Sequence, residues 1–296
     1  MRIKVAMIVL VLSAMVHAQD DEKLLDQGKI EQILGSKGSW NGGQRALKFS
    51  WPMNEPVKID GRVMPPFMGL TTWAAFHPSS STKGMVAGDI VLFQYQVNPV
   101  MSAALNNGLE VTGLHNHFMF DEPRIFFMHI GGEGKVEKLA EGVKKVLDAV
   151  RETSSKLGDI TGFGGNALPE KSLISPKPLE EVFGKPGQSS DGMTKFVFGR
   201  YVKMHCGCEV GSDMGINSWA AFYGSDENAL VDGDFAVTME ELQPALKSLR
   251  GSGVNIVAIH NHMVDETPKL FFFHYWGKGK ALDLAKSVKT ALEQKK

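Results

Sequence analysis

Two histidines separated by one residue, with a third twelve residues further on, occur twice in this chain: His115, His117 and His129, then His260, His262 and His274. Neutral imidazole nitrogens are ligands for Zn, Cu, Ni and Fe. Three such donors that leave one coordination position open describe a catalytic zinc site. On a β-strand, residues i and i+2 share a face, so each His-x-His pair offers two rings to one ion. The expected cofactor is therefore a divalent metal, with zinc first. Asp121 and Glu266 fall at matching points of the acid-rich turn between the second and third histidines. Either carboxylate is placed to serve as a fourth ligand or as a general base on a metal-bound water. Asn116 and Asn261 stand between the paired histidines, and Arg124 and Lys269 follow the turn's proline. These four are the candidate contacts for a small anionic ligand.

Three functional readings follow. The first is a metal-binding protein that uses these trios. The second is a metal-dependent hydrolase with Glu266 or Asp121 as the base. The third is a metal-free module that captures a small anionic molecule, its histidines acting as hydrogen-bonding or acid–base groups. Whether the chain is an enzyme stays open. Geometry sets a condition on the first two. A tight hairpin at 118–123 would put His129 opposite Thr112, about 10 Å from His115 at ~3.3 Å per residue. His129 joins the pair if the turn widens to about 119–125, or the third ligand comes from the other copy.

The elements that must position these residues are duplicated as well. Without a gap, residues 115–135 and 260–280 are identical at ten of 21 positions. Gly69-Leu70-Thr71-Thr72-Trp73-Ala74-Ala75-Phe76 matches Gly215-Ile216-Asn217-Ser218-Trp219-Ala220-Ala221-Phe222, and Gly88-Asp89 matches Gly233-Asp234. Within one copy the pattern predicts weak strands at 47–51 and 57–63, a strand around Trp73, a strand at 89–95 and a short helix at 98–107. Strands at 109–118 and 124–130 follow. A long helix from Lys135 then buries Val136, Leu139, Ala140, Val143 and Val146 at helical spacing. In the second copy Thr238 and Glu241 form a capping box at the short helix. The expected fold class is α+β: a tandem duplication of a β-β-α-β-β-α unit, with two similar halves related by a pseudo-twofold. The expected boundaries are a first repeat domain at 19–151, a Gly/Ser/Pro-rich linker at 152–176 and a second repeat domain at 177–296.

A formal net charge of −1 in 296 residues excludes the basic excess of a typical nucleic-acid binder and gives no attraction to anionic lipid. Arg2 and Lys4, an apolar run from Val5 to Val16 and the small-residue pattern before Gln19 read as a secretory signal peptide, residues 1–18, cut after about Ala18. The run is too short for a comfortable membrane span. The chain is expected to be exported, periplasmic or extracellular. Export permits disulfides, but the two cysteines are Cys206 and Cys208, and a bridge across one residue is strained. They read as small semi-buried residues, as two free thiols or as a soft-metal pair. No oligomeric state is legible.

With the signal peptide, the Gly-x-x-x-Trp-Ala-Ala-Phe segments and the His-Asn-His, Pro-Arg/Lys-x-Phe-Phe-x-His runs in view, the chain resembles the LppY/LpqO family of exported bacterial proteins and lipoproteins. The resemblance implies export and an internal repeat across the mature chain, and brings no activity with it. Lipoprotein members carry a cysteine at the cleavage site, where this chain has Gln19.

Overall fold

The structure is a computed structural model, and it describes residues 25–59, 61–79, 83–154 and 166–294. The expected signal peptide lies outside the described residues. No described helix is long and apolar enough to cross a membrane. The chain divides into two compact units at residues 155–156, with residues 113–115 counted to the second. Among the described residues it is a mixed α+β protein with six α-helices and large antiparallel sheets.

In the first half the elements are α1 (Gln27–Leu34), β1 (Ser39–Asn41), β2 (Ala46–Pro52), β3 (Lys58–Ile59), β4 (Arg62–Val63), β5 (Thr71–Pro78) and β6 (Gly84–Phe93). They are followed by α2 (Val97–Asn106), β7 (Glu110–His115), β8 (Asp121–Glu122), β9 (Ile125–Gly134) and α3 (Val136–Ser154). The strands of the main sheet run β1-β2-β5-β6-β9-β7, and β4-β3-β8 form a separate small sheet. The second half repeats this as α4 (Pro176–Phe183), β10 (Gln188–Ser190), β11 (Met193–Gly199), β12 (Val202–Met204), β13 (Glu209–Val210), β14 (Asn217–Ser225) and β15 (Asn228–Val237). Then come α5 (Met239–Gly251), β16 (Asn255–His260), β17 (Glu266–Thr267), β18 (Phe271–Gly279) and α6 (Ala281–Leu292). Its main-sheet order is β16-β18-β15-β14-β11-β10, and its small sheet is β13-β12-β17.

Alternation tells which face of the second sheet is which. A Cβ on Gly277 would meet Leu284 of α6 at 3.1 Å, so that side of β18 looks at the helix. Phe273 and Tyr275 share it and are fully buried, while His274 and Phe272 point the other way. Asp234 of β15 stands directly opposite His274 in the antiparallel register, and therefore on the same helix-free face. The β14–β15 ladder ends at Trp219↔Asp234. Just beyond, Ala236 donates its N–H to the Ser218 hydroxyl at 2.9 Å. On the same face, Val202, Ile216, Ala236, Leu270 and Phe272 make a small apolar cluster under β12 and β17.

Several details differ from the sequence reading. Residues 57–63 do not form one weak main-sheet strand; β3 and β4 are two residues each and leave the main sheet. A pair of two-residue strands has no periodicity for a pattern to catch. Strand 109–118 stops at His115, and 89–95 is the end of a strand that starts at Gly84. Two further details bear on the segment between the halves. Helix α3 runs to Ser154. At the far end, Leu173 N–H donates to Gly224 O at 2.7 Å and Ile174 N–H to Gly192 O at 3.0 Å, docking the segment before α4 onto the second unit.

Candidate metal centre

His260 is the last residue of β16, and His262 lies in the bend that follows. Although the strand has ended, the two rings stay together, with Nε2 atoms 3.2 Å apart. His274 reaches them across a wide connection, as one of the two sequence alternatives required, but diagonally rather than face to face. In the β16–β18 register His260 pairs with Phe272 and Ala258 with His274, with an irregularity between Ile256 and Ala258. His274 is thus a diagonal neighbour on the same face, and its ring stacks on that of His260 with centroids 4.7 Å apart and planes inclined at 17°. A ten-residue connection, 261–270, separates the two strands. It is wider than the tight hairpin considered above, and the diagonal geometry needs no ligand from the other half.

The carboxylate in the cluster is Asp234. One donor atom each from Asp234, His260 and His274 lie within 4.8 Å of one another, the spacing a single ion requires. His262 Nε2 sits 3.2 Å from Asp234 Oδ2, and His260 Nε2 sits 3.9 Å from the same oxygen. Backbone carbonyls orient two of the rings. Gly215 O lies 3.0 Å from His262 Nδ1, and Gly233 O lies 3.3 Å from His274 Nδ1. A carbonyl only accepts, so the proton belongs on Nδ1 and the lone pair on Nε2, where a ligand needs it. His262 is further held by stacking on Phe272, with centroids 3.6 Å apart.

The electrostatics favour a cation. Burial pushes the Asp234 carboxyl above its usual range, against the opposing pull of His274 and His262. Burial, then the neighbouring His274 and His262, bring His260 down to about 4. His260 is therefore neutral at physiological pH, the form that ligates. Asp234 Oδ1 and His260 Nδ1 are buried with no hydrogen-bond partner. A buried carboxylate with an unpartnered oxygen is costly unless a positive charge accompanies it. The donor set, one oxygen and imidazole nitrogens, fits Zn or a neighbouring divalent transition ion.

Sequence reasoning missed Asp234. Its signal was present as the repeated Gly-Asp pair, Gly88-Asp89 and Gly233-Asp234, which was read only as a mark of duplication. The first half places the same residue types at matching positions, with Asp89 opposite His129. His117 stacks on Phe127 with centroids 3.4 Å apart, as His262 does on Phe272. Among the described residues, however, no group of donors within the same limit forms around His115 and His129.

The remaining candidates hold the turn. Asp121 Oδ2 accepts the Ile125 N–H at 2.6 Å, and Glu266 Oε1 accepts the Leu270 N–H at 3.1 Å. Expected as ligands or bases, these carboxylates are engaged by the backbone of their own turn, and the one that joins the histidines is Asp234. Lys269 also folds inward: its Nζ reaches Met263 O at 3.3 Å, Val264 O at 3.2 Å and Glu266 Oε1 at 3.4 Å. Asn116 Nδ2 donates to Ile125 O at 2.6 Å, tying the end of β7 to the start of β9. Asn261 and Arg124 are exposed.

The turn has a pH signature. Burial raises the Glu266 pKa, but the Leu270 N–H, its own backbone N–H and Lys269 together bring it below 4.5. A depressed carboxyl stabilises the fold above its unfolded pKa, and that contribution is lost as pH falls through the lower folded value. Glu266→Gln keeps an acceptor for Leu270 and is expected to flatten this acid-side loss. Glu266→Ala leaves a buried N–H unsatisfied and is expected to cost about 1–3 kcal/mol at neutral pH. Thermal melts of both variants between pH 3 and 7 check this, and wild-type acid sensitivity in Glu266→Gln would refute it.

No curated protein and no solved structure matches the chain. The profile of one family, described as Domain of Unknown Function (DUF1259), matches residues 28–149 and again 177–294. Both structural halves carry a histidine-bearing sheet within those limits, and the two matches together cover most of the sequence: the chain belongs to the DUF1259 family.

Proposed function

We propose that the second half of this protein binds one divalent transition-metal ion, zinc by preference, through Asp234, His260 and His274, with His262 as a fourth donor or as the partner of Asp234. The observation that carries the reading is the convergence of those three donor atoms to within 4.8 Å on three adjacent strands. His260 and His262 side chains remain 29% and 30% exposed, which leaves the ion's outer side open to solvent or to a small ligand. Bound there, zinc would supply Lewis acidity; the residues of this chain would fix the ring tautomers and exclude water from the sheet side. The two halves are copies of one β-β-α-β-β-α unit, and in this reading the second copy carries the working centre. We further place the protein among exported relatives of the LppY/LpqO type, on the strength of its N-terminal sequence and its histidine and tryptophan segments.

The test is metal content by mass spectrometry on protein purified without chelator, together with melting temperature with and without zinc. One ion per chain is expected. At free metal a hundredfold above Kd the stabilisation is about 2.7 kcal/mol. For a domain of this size that corresponds to a rise of roughly 5–10 °C. Substoichiometric metal together with an unchanged melting temperature would overturn the proposal.

A further inference from the structure

The two small sheets are built alike except at one turn. In both, the hairpin strand lies against the loop that follows the His-x-His pair: Ile59 pairs with Asp121 in the first half, and Met204 with Glu266 in the second. Strands β3 and β4 are separated by two residues, whereas β12 and β13 are separated by four: His205, Cys206, Gly207 and Cys208. Both cysteines of the chain therefore sit in a turn that is two residues longer than its counterpart. Cys206 and Cys208 are exposed and unbridged, which removes the semi-buried packing role considered from sequence. The turn is well made. Met204 N–H donates to Cys208 O and Gly207 N–H to Met204 O, each at 2.8 Å, with Gly207 at φ 83°, where glycine is at ease. Cys208 N–H points at Cys206 Sγ, 3.4 Å away. The Cys208 thiol also reaches the Cys206 sulfur, so the turn brings the two sulfurs together at its tip.

We propose that the Cys206-Gly207-Cys208 tip is a second metal site, a two-thiolate chelate for a soft monovalent cation of the Cu(I)/Ag(I) class. Ligand number decides against zinc. A structural zinc needs four protein donors, and among the described residues no third His, Cys, Asp or Glu donor joins these sulfurs within 4.8 Å. Soft thiolates with no further donors suit a two-coordinate monovalent ion. A disulfide across a single residue would strain the turn, whereas two sulfur–metal bonds span a wider gap. On binding, both thiols release their protons to solvent as the two S–metal bonds form. No electron moves, because the ion enters already monovalent.

Silver(I) nitrate in chloride-free buffer is a redox-inert probe for this chemistry, applied to the reduced full chain. Uptake of one silver ion per chain is expected, with both thiols then unreactive toward maleimide. Cys206→Ser and Cys208→Ser should each lose that uptake, while His260→Ala/His274→Ala should keep it. The tip is exposed, so neither serine variant endangers the fold, and unchanged melting temperatures would verify that. Silver uptake retained in the Cys206→Ser/Cys208→Ser double variant overturns the proposal. So does a reduced wild-type protein that takes up no silver and instead closes to a disulfide in air. Neither outcome bears on zinc binding by Asp234, His260 and His274, which the histidine variants read separately.

Discussion

His260→Ala or His274→Ala is expected to abolish the proposed zinc-dependent rise in melting temperature, and His115→Ala and His129→Ala are expected to leave it in place. Each of the first two substitutions removes one of the three donors that meet within 4.8 Å. His262→Ala is milder, with an expected loss of roughly 10- to 100-fold in affinity, because its ring orients Asp234 from 3.2 Å as much as it ligates. Asp234→Asn separates function from stability. It keeps the shape of the side chain but removes a charge whose burial the metal-free protein must bear. The expected outcome is a metal-free variant that melts no lower than metal-free wild type and no longer responds to zinc. This is the usual opposition between a site's strain and its stability. Calorimetric melts of the variants with and without zinc decide it. A zinc response surviving in His260→Ala or in Asp234→Asn would remove that residue from the centre.

A second large effect is expected from one methyl group. A Cβ on Gly233 would lie 2.3 Å from Trp219 O and 2.3 Å from the Tyr275 hydroxyl. Tyr275 is fully buried and donates its hydroxyl hydrogen to that same carbonyl at 3.0 Å, so it cannot retreat without breaking a buried hydrogen bond. Overpacking alone costs about 1–3 kcal/mol, and a stranded buried hydroxyl adds to it. Gly233→Ala should therefore destabilise by about 3 kcal/mol, near the top of the overpacking range. Gly88→Ala should act in the same direction but less strongly. Its Cβ would meet Trp73 O at 2.7 Å and the side chain of Ile130 at 3.1 Å, and an isoleucine can shift. Equal melting temperatures for Gly233→Ala and wild type would refute the packing argument. The repeated Gly-Asp pair now has a physical reading: the glycine admits a neighbour on the helix side, and the aspartate turns its carboxylate toward the histidines on the other.

How much of this was legible depends on how local each signal is. The apolar faces of α3 and α6 follow a simple period, and Val136, Leu139, Ala140, Val143 and Val146 are buried as that period implies, as are Ala281, Leu284, Ala285 and Val288. The capping box of α5 lies within four residues, and the Thr238 N–H does meet Glu241 Oε2 at 3.0 Å. His260, His262 and His274 were visible because a rare residue type recurred at fixed spacing in both copies. Asp234 was not, because its partner in space lies forty residues away in sequence, and the link is a strand register that no local pattern encodes. Glu266 and Asp121 carry a second role that spacing alone did not reveal. An acidic residue near histidines looks like chemistry, but a carboxylate four residues before an unpaired N–H is also what closes a turn.

The order of strands in the second sheet carries a last consequence. Asp234 rides on β15 and His260 on β16, and β18, which the chain lays down after both, sits between them. Until that strand inserts, the first two donors face each other across an empty lane and the third is elsewhere. The full set of proposed donors, Asp234, His260 and His274, therefore comes together only when β18 is in its slot.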